Sequence, residues 1–432
     1  MRGFNFLFLF CSMPNFLDLF AGAGGLSEGF IRANYSPVAH IEMDPAACYT
    51  LKTRVAYHWL KNNNNISIYN DYLNGLISRE QFYSKVPQKE LDSVLHYEIS
   101  KENLPEIFNK VDSILDGAQL DFIIGGPPCQ AYSLAGRSRS KTNMIGDKRN
   151  YLYLLYAEFL KRYKPKFFVF ENVLGLLSAK DQDGSKHFDN MRKLFSEIGY
   201  STEFKVLTAS DFGVLQNRKR IIMIGIKGQE ENFYPNLQVI KEHYLVNELF
   251  SDLPHLQSGE GVNTPVKTLK YRGDYLYKVG IKEFPNEPIT LHQSRPNNEQ
   301  DLQIYKIAVN EWNKSHKRIS YMDLPEKLRT HSNIDSFLDR FKVVAADLPC
   351  SQTIVAHIAK DGHYFIHPDI TQNRSITPRE AARIQTFPDN YYFESSSGKP
   401  SRTLAFKQIG NAVPVHLAYV VASALLHKYK TK

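Results

Sequence analysis

The stretch Asp18-Leu-Phe-Ala-Gly-Ala-Gly-Gly-Leu-Ser-Glu-Gly29 decides the fold of this chain. It places Gly22, Gly24 and Gly25 directly after an apolar run and directly before a predicted helix. Glycine lets the backbone turn tightly and approach a ligand closely, which the first strand-to-helix turn of a nucleotide-binding sheet requires. The stretch therefore predicts a strand, a ligand-binding turn and a helix in succession.

Short apolar runs of strand length recur through the first half of the chain, and several are separated by enough residues for a crossover helix. This alternation predicts an α/β fold with a doubly wound, mostly parallel sheet, which gathers its sites at the carboxyl ends of the strands. The predicted strands are 16–20, 38–41, 93–97, 121–124, 167–170 and 221–226, with helices at 151–163 and 188–198.

Three regions are expected. Residues 13–227 carry the strand pattern and form a first domain, with a polar insertion at about 61–91. Residues 228–373 lose the pattern and indicate a smaller, loop-rich domain. Residues 374–432 are expected to return and complete the first domain. Within them, Thr377-Pro-Arg-Glu380 combines a threonine N-cap, a proline at N1 and a glutamate at N3, which predicts a helix start.

Composition limits the function classes. With 43% hydrophobic and 23% charged residues, the chain is typical of a globular protein and not of a disordered one. Its four cysteines form neither a CxxC pair nor a Cys/His cluster, which argues against a disulfide framework or zinc site and favours a reducing, intracellular home. A net charge of +8 favours a polyanionic partner such as nucleic acid.

The N-terminal residues contain the longest apolar run, 6–11, which is shorter than the ~20 residues needed to span a bilayer. Residues 1–12 resemble the charged start and apolar middle of a signal peptide, but no small-residue cleavage site follows. Met13 is an alternative natural start. The sequence therefore does not predict a membrane protein.

A second signal lies one strand after the glycine turn, in His40-Ile-Glu-Met-Asp44. Glu42 falls at a predicted strand end about 20 residues after the turn, where a carboxylate can accept hydrogen bonds from both hydroxyls of a ribose. The chain has no GxxxxGK(S/T) phosphate-binding loop. A nucleoside without a pyrophosphate, such as S-adenosylmethionine, therefore fits better than NAD or ATP.

The sharpest motif is Gly125-Gly-Pro-Pro-Cys-Gln-Ala-Tyr-Ser133, which follows the predicted strand 121–124. Two successive prolines fix φ twice and so set the backbone that presents Cys129 at the carboxyl end of a strand. A rigid loop flanked by glycines suits a nucleophile better than it suits core packing. Cys129 is therefore the candidate nucleophile.

Two further motifs place charged groups beside strands. Glu171 ends the apolar run in Phe167-Phe-Val-Phe-Glu-Asn-Val173. Gln216, Arg218 and Arg220 are spaced by two, so alternation along an extended segment predicts that they point to one side. That side would suit a nucleobase carbonyl or a phosphate.

Taken in chain order, these motifs resemble the DNA (cytosine-5)-methyltransferase family of bacterial restriction-modification systems. The resemblance covers the chain from about Phe16 and includes DLFAGAGG, IEMD, GGPPCQAYS, ENV, QNRKR, ITPREAARIQTFPD and QIGNAVP. It implies an S-adenosylmethionine-binding, Rossmann-like catalytic domain at 13–227 and a target-recognition domain at 228–373. The implied reaction is methyl transfer to carbon 5 of a cytosine flipped out of double-stranded DNA.

The resemblance assigns a role to each matching residue. Cys129 would add to carbon 6 of cytosine, Glu171 would bond to N3, and Arg220 would contact O2 with Arg218 nearby. The residues expected to contact DNA are Gln130, Ser133, Gln216 and Arg218. The residues expected to hold the cofactor are Asp18, Phe20, Gly22, Gly24, Gly25, Glu42, Met43, Glu98, Pro127, Asn411 and Val413.

Two positions depart from the family pattern. Glu98 stands where the family usually has an aspartate that contacts the adenine amine of the cofactor, and Asp71 in the insertion is its rival. Leu215 stands where a proline often precedes the glutamine of the Gln-x-Arg-x-Arg motif, and we expect only a local effect there.

Other functions compete with this interpretation. A tRNA (cytosine-5) methyltransferase shares the fold, but the long middle domain and the lack of an added RNA-binding module favour DNA. The intact set of Cys129, Glu171 and arginines argues against a catalytically silent binding protein. An amino-methyltransferase would need an (Asp/Asn/Ser)-Pro-Pro-(Tyr/Phe) loop, whereas this chain has Pro-Pro-Cys. We expect a cytoplasmic monomer that needs no metal, contacts no membrane and is paired with a separately acting restriction endonuclease.

Overall fold

The computed structural model describes residues 13–128, 148–240 and 242–431. Three predicted site residues, Cys129, Gln130 and Ser133, lie outside these ranges, as does the apolar run 6–11. The other predicted site residues lie inside them.

A seven-stranded sheet forms the centre of the fold, in the order β3-β2-β1-β4-β5-β7-β6. Strands β1 to β5 are parallel, whereas β7 runs antiparallel to both of its neighbours. The predicted α/β, mostly parallel sheet is confirmed. The strands are β1 (Asn15–Leu19), β2 (Ser36–Glu42), β3 (Val94–His96), β4 (Phe122–Gly125), β5 (Phe167–Asn172), β6 (Tyr200–Thr208) and β7 (Lys219–Lys227).

Strand β6 is missing from the sequence prediction. It lies at the edge of the sheet, and most of its side chains are at least partly exposed. Its polar composition therefore gives no apolar run of the kind that marks the central strands. A short second sheet pairs β8 (Gly261–Val262) with β9 (His292–Gln293).

Helices surround the sheet, and the two crossover helices predicted from spacing are confirmed as α7 and α8. The described helices are α1 (Gly25–Arg32), α2 (Pro45–Asn62), α3 (Ile66–Leu73), α4 (Arg79–Tyr83), α5 (Gln88–Leu91), α6 (Leu104–Leu115), α7 (Leu152–Tyr163), α8 (His187–Glu197), α9 (Tyr275–Lys278), α10 (Glu299–Ser315), α11 (Ile334–Phe337), α12 (Pro378–Ile384), α13 (Arg402–Asn411) and α14 (Val415–Lys430).

Both faces of the sheet are covered. On β4, Ile123 faces a core shared with α6, α7 and α8, while Phe122 and Ile124 face a core shared with α1 and α14. Burial on both faces explains why the central strands read as continuous apolar runs. The C-terminal helix α14 packs so closely on α1 that a Cβ atom at Gly29 would lie 2.6 Å from the Tyr419 amide nitrogen.

The polar insertion between β2 and β3 is helical and has an aromatic core of its own. Helices α3 to α5 pack there, and the rings of Tyr72 and Phe82 stack with 4.6 Å between their centroids. The insertion is tied to the C-terminal region, because the Tyr69 hydroxyl donates to the Asn390 carbonyl at 2.8 Å. The Tyr72 hydroxyl likewise donates to the buried Glu394 carboxylate at 2.5 Å.

Within the stretch 402–430, the most apolar 18-residue window has a mean hydropathy of 1.6, as high as that of a membrane-crossing helix. The stretch comprises α13 and α14, and 67% of its most apolar window is buried against the rest of the protein. This is the pattern of core helices.

Helix α12 organises the second core and begins as the sequence predicts. The Thr377 hydroxyl accepts a hydrogen bond from the Glu380 amide, and the Glu380 carboxylate accepts one from the Thr377 amide, which completes the capping box. Every residue of α12 is buried, and its apolar side chains join a core with residues from 246 to 365 and with α13.

Charged side chains of α12 are buried with their partners. Arg383 contacts Asp252 at 2.6 Å and Asp389 at 2.6 Å, and Lys282 contacts Asp252 at 3.0 Å, with all four side chains at most 1% exposed. The nearby carboxylates raise the pKa of Arg383, although burial alone would lower it. Two cations therefore face two anions in the protein interior, which makes the cluster sensitive to the loss of any one charge.

Replacing Asp252 with asparagine should lower the free energy of unfolding by about 3–5 kcal/mol, because Arg383 and Lys282 then share the single carboxylate of Asp389. Urea unfolding measures this loss. The matched control is Glu158→Gln, which breaks an ion pair with Lys161 whose two side chains are each 45% exposed, and should change stability by less than about 0.5 kcal/mol. Equal losses in the two variants would contradict the prediction.

Candidate active site

The candidate site lies along one edge of the sheet, where the carboxyl ends of the parallel strands β1 to β5 meet. The amino end of β7 reaches the same edge because β7 is antiparallel to β5, with Asn172 paired to Ile221. The glycine turn follows β1, Glu42 ends β2, the Gly125-Gly-Pro-Pro loop follows β4, and Glu171 lies near the end of β5.

The glycine turn holds its shape through left-handed residues and a carboxylate. Gly22 and Gly24 have φ of +55° and +78°, values that favour glycine. The Gly22 amide donates to Glu42 at 2.8 Å. A Cβ atom at Gly22 would meet nothing within 4 Å, so the backbone borders open space at this point.

The C-terminal region closes the other side of the turn. At Gly24, a Cβ atom would lie 2.8 Å from the Tyr391 hydroxyl oxygen, and at Gly25 it would collide with the Val413 carbonyl oxygen. Asn411 is exposed at the end of α13, two residues before Val413. Gly25 is therefore required by the close approach of the chain segment that includes two of the predicted cofactor residues.

Glu42 is fixed by three backbone amides. Besides Gly22, the amides of Met43 and Asp44 donate to its other oxygen at 2.9 and 2.8 Å. Burial raises the pKa of Glu42, while these hydrogen bonds oppose the rise. Oε1 accepts two of these bonds and Oε2 accepts one, so a single lone-pair site, on Oε2, remains for a hydroxyl donor. Met43 is 54% exposed next to it.

Asp18 and Phe20, both predicted to hold the cofactor, differ in position. Asp18 is 1% exposed, and its carboxylate lies 3.6 Å from His40 Nδ1, so it faces the protein interior. Burial raises the pKa of Asp18. Phe20 is half-buried at the start of the turn with a φ of +58°, which is strained for a non-glycine residue. A residue held in this conformation beside a ligand-binding turn marks a candidate functional position.

The two candidates for the third cofactor acid lie on different elements. Glu98 is exposed two residues beyond β3, at the sheet edge where β2 also ends. The edge is fixed locally by the His96 ring, whose Nε2 lies 3.1 Å from the Met43 carbonyl oxygen. Asp71 is exposed on α3 in the insertion. The position of Glu98 matches the strand-end role better.

The base of the predicted nucleophile loop is anchored by Asn172, which the sequence analysis quotes but does not single out. Asn172 is buried, and its side-chain amide donates to the Pro127 carbonyl at 3.2 Å. Gly126 packs against Glu171, since a Cβ atom there would lie 2.5 Å from a carboxylate oxygen. Asn172 directly follows Glu171 at the end of a strand, and this position is the sequence signal that could have identified it.

Glu171 and Arg220 form an ion pair at this edge. Arg220 Nε lies 2.7 Å from Glu171 Oε1, with side chains 13% and 14% exposed. An Arg220 Nη also donates to the Lys219 carbonyl at 2.8 Å. The Lys219 carbonyl therefore helps to fix the Arg220 guanidinium, while part of each side chain of the pair remains accessible to a ligand.

The structure places the side chains of Gln216 and Arg218 elsewhere than their spacing predicts, because residues 216–218 precede β7 and both side chains are buried in the interior. Arg218 is 1% exposed and donates to the carbonyls of Ile354, Gly410 and Ala412 at 2.6–3.2 Å. Gln216 is fully buried, donating to the Ile384 carbonyl and accepting from the Ile354 amide. The geometry gives both side chains an internal clamping position instead of one facing DNA or the base.

The described cysteines are poor nucleophiles. Burial raises the pKa of the Cys48 thiol to about 12 and also raises that of Cys350. A thiolate at neutral pH is therefore disfavoured at both positions. Within residues 13–128, 148–240 and 242–431, no group of three or more His, Cys, Asp or Glu side chains could hold a metal ion.

A Rossmann-like sheet with a glycine turn and a strand-end acid is typical of nucleoside-binding enzymes, and comparisons with known proteins identify the family. A family profile described as C-5 cytosine-specific DNA methylase matches residues 14–77 and 88–427. The chain belongs to this family and is a DNA cytosine-5 methyltransferase of the restriction-modification type.

Two curated relatives span nearly the whole chain. Type II methyltransferase M.Bpa9945I from Bacillus paralicheniformis is 40% identical, with 95% of this chain and 98% of that protein aligned. Type II methyltransferase M.DdeI from Desulfomicrobium norvegicum is 31% identical, with 95% and 88% aligned. A crystal structure described as a prophage-encoded DNA modification methyltransferase from E. coli shares the fold, with a TM-score of 0.61, 21% identity and coverage of 96% and 99%.

Lysine substitutions should distinguish the contributions of Arg218 and Arg220 to stability. Arg218→Lys should lower the free energy of unfolding by at least about 2 kcal/mol, because a lysine cannot serve three buried carbonyls from one planar fork. Arg220→Lys should change it by less than about 1 kcal/mol, since Arg220 lies at the partly open edge. Urea unfolding compares the two variants. Unchanged stability in Arg218→Lys would instead support the original prediction that Arg218 faces the substrate.

Proposed function

We propose that the enzyme transfers a methyl group from S-adenosylmethionine to carbon 5 of a flipped cytosine within a specific DNA sequence, through a covalent Cys129 adduct. The observation that carries this proposal is the Glu171–Arg220 ion pair, 2.7 Å long, beside the loop that leads to Cys129. Methylation of the recognition sequence would protect DNA from a cognate restriction endonuclease that acts separately.

The residues around the glycine turn fit S-adenosylmethionine. The open space at Gly22 leaves room for a ligand against the backbone, and the lone-pair site that remains on the fixed Glu42 carboxylate suits a ribose hydroxyl. Glu98 would accept from the adenine amine, while Met43, Pro127 and Val413 would border the pocket. When bound, S-adenosylmethionine supplies an electrophilic methyl group.

The side chains at the sheet edge would activate the cytosine. Carbon 5 is a poor nucleophile until a thiolate, supplied by Cys129, adds to carbon 6 and shifts an electron pair into the ring. Glu171, after taking up a proton from solvent, would donate it in a hydrogen bond to N3 and stabilise that electron density, and Arg220 would hold O2. After methylation, the carbon 5 proton must leave before the thiolate departs. Among the described residues no side chain is placed for this step, and we propose that water removes the proton.

The substrate must reach this edge outside the duplex, because carbon 6 of a stacked base is inaccessible. Residues 228–373 would read base edges in the major groove, where a good bidentate contact contributes about 1–3 kcal/mol of discrimination. The catalytic domain, residues 13–227, together with the returning segment 374–432, would carry the chemistry. We further propose a cytoplasmic monomer, consistent with an enzyme that acts on the host chromosome.

Trapping the adduct tests the nucleophile. A randomised duplex library that contains 5-fluorocytosine in place of cytosine removes the need to know the recognition sequence. With S-adenosylmethionine present, we expect a protein–DNA band that survives a denaturing gel, because fluorine at carbon 5 cannot leave as a proton. Cys129→Ser should give no such band, while Cys350→Ser should give the wild-type band. An equal band with Cys129→Ser would reject Cys129 as nucleophile.

Glu171→Gln tests the proposed acid. We expect methyl incorporation from labelled S-adenosylmethionine to fall about 10²–10⁴-fold, because the amide cannot deliver a carboxyl proton to N3. Calorimetry should show unchanged cofactor affinity, which separates loss of chemistry from loss of the fold. Turnover near the wild-type rate would make Glu171 a structural partner of Arg220.

A further inference from the structure

We propose that Tyr391 is a positioning residue for the cofactor: its hydroxyl fixes the glycine turn in the shape that binds S-adenosylmethionine. The inference rests on the proposed function, since it assumes that the cofactor binds at this turn. Tyr391 lies in the segment that follows α12, more than 350 residues from the turn in sequence.

The contact reaches the centre of the turn. The Tyr391 hydroxyl donates to the Ala23 carbonyl at 2.6 Å, and the ring is 1% exposed. Ala23 lies between Gly22 and Gly24, which both have left-handed φ values. The direction of its carbonyl is therefore set by a backbone conformation that is accessible to glycine but also easily lost, because glycine has many alternatives in a free chain.

Tyr391 is itself held rigidly. Arg379 donates to the Tyr391 carbonyl at 2.7 Å, and the Arg54 guanidinium lies 4.7 Å from the ring centroid. The rings of Phe387 and Phe393 pack against it at 4.8 and 5.3 Å between centroids. Burial raises the pKa of Tyr391, so the hydroxyl remains a donor throughout the neutral range.

Loss of the Tyr391 hydroxyl should change the conformation of the turn on the side that binds the ligand. The Gly22 amide, one residue before Ala23, donates to Glu42, so the turn and the proposed ribose acid are one hydrogen-bonded unit. Without the Tyr391 contact, the turn can adopt other shapes, and ligand binding must restore the productive one. An ordering step of this kind weakens affinity without altering the chemistry of the bound complex.

A second buried tyrosine provides the matched control. The Tyr69 hydroxyl donates at 2.8 Å to the backbone carbonyl of Asn390, the residue next to Tyr391, and Tyr69 is 2% exposed. Tyr69→Phe therefore deletes the same chemical group from the same kind of contact, but one that does not reach the turn. If Tyr391 acts only by stabilising its segment, both variants should behave alike.

The experiment compares Tyr391→Phe, Tyr69→Phe and wild type by calorimetric titration with S-adenosylmethionine, by steady-state kinetics and by thermal unfolding. We expect Tyr391→Phe to raise the Kd and KM for S-adenosylmethionine about three- to tenfold, the effect of one neutral hydrogen bond, with kcat within about twofold of wild type. Tyr69→Phe should leave both constants unchanged, and both variants should lose a similar, small amount of Tm.

Two results would overturn the inference: unchanged cofactor affinity in Tyr391→Phe, or an equal weakening in Tyr69→Phe. A wild-type protein that fails to bind S-adenosylmethionine would instead reject the proposed function. The two failures are therefore distinguished by the wild-type titration alone.

Discussion

The close approach between the two ends of the chain is the constraint on which the rest of the structure depends. Gly25 touches the Val413 carbonyl, and Gly29 touches α14, at distances that leave room for hydrogen but not for a methyl group. Because α1 follows the turn directly, these contacts fix where the turn lies relative to β2 and β4. The C-terminal region therefore positions the glycine turn, which borders the proposed cofactor site.

That return is stabilised by polar groups buried around α12. Arg379 and Arg383 donate to carbonyls of Thr290 and Leu249, and Arg383 also pairs with two carboxylates. Gln385, one residue beyond the helix, donates to the carbonyls of Ile409 and Ala412. The short helix α12 thus connects residues 228–373 to the end of α13 and to the sheet domain. Networks of this kind specify a unique arrangement only if all members are satisfied.

Much of the catalytic edge could be predicted because its signals are local. A glycine turn after an apolar run and an acid at a strand end identify positions without knowledge of the partner, and Glu42 and Glu171 indeed lie at strand ends. The capping box at Thr377 is likewise complete within four residues. Local patterns of this type need no tertiary information.

The remaining features could not be predicted because they depend on contacts distant in sequence. Spacing by two suggested that Arg218 and Arg220 share a side, yet only tertiary structure shows that strand geometry begins at Lys219. Arg218 meets carbonyls 136 to 194 residues away. Strand β6 was missed because an exposed edge needs no apolar pattern. The partner of Ala23 is 368 residues distant.

The antiparallel placement of β7 has a consequence for which changes of length the chain can accept. Arg220 reaches Glu171 because Glu171 is opposite Ile222 in the ladder. One residue added to the connection between β6 and β7 would leave the register of the ladder unchanged, whereas one added between Arg220 and Ile222 would turn the guanidinium to the opposite face of the sheet. The count of residues from Arg220 into β7 is therefore fixed by parity, a constraint that does not apply to residues outside the ladder.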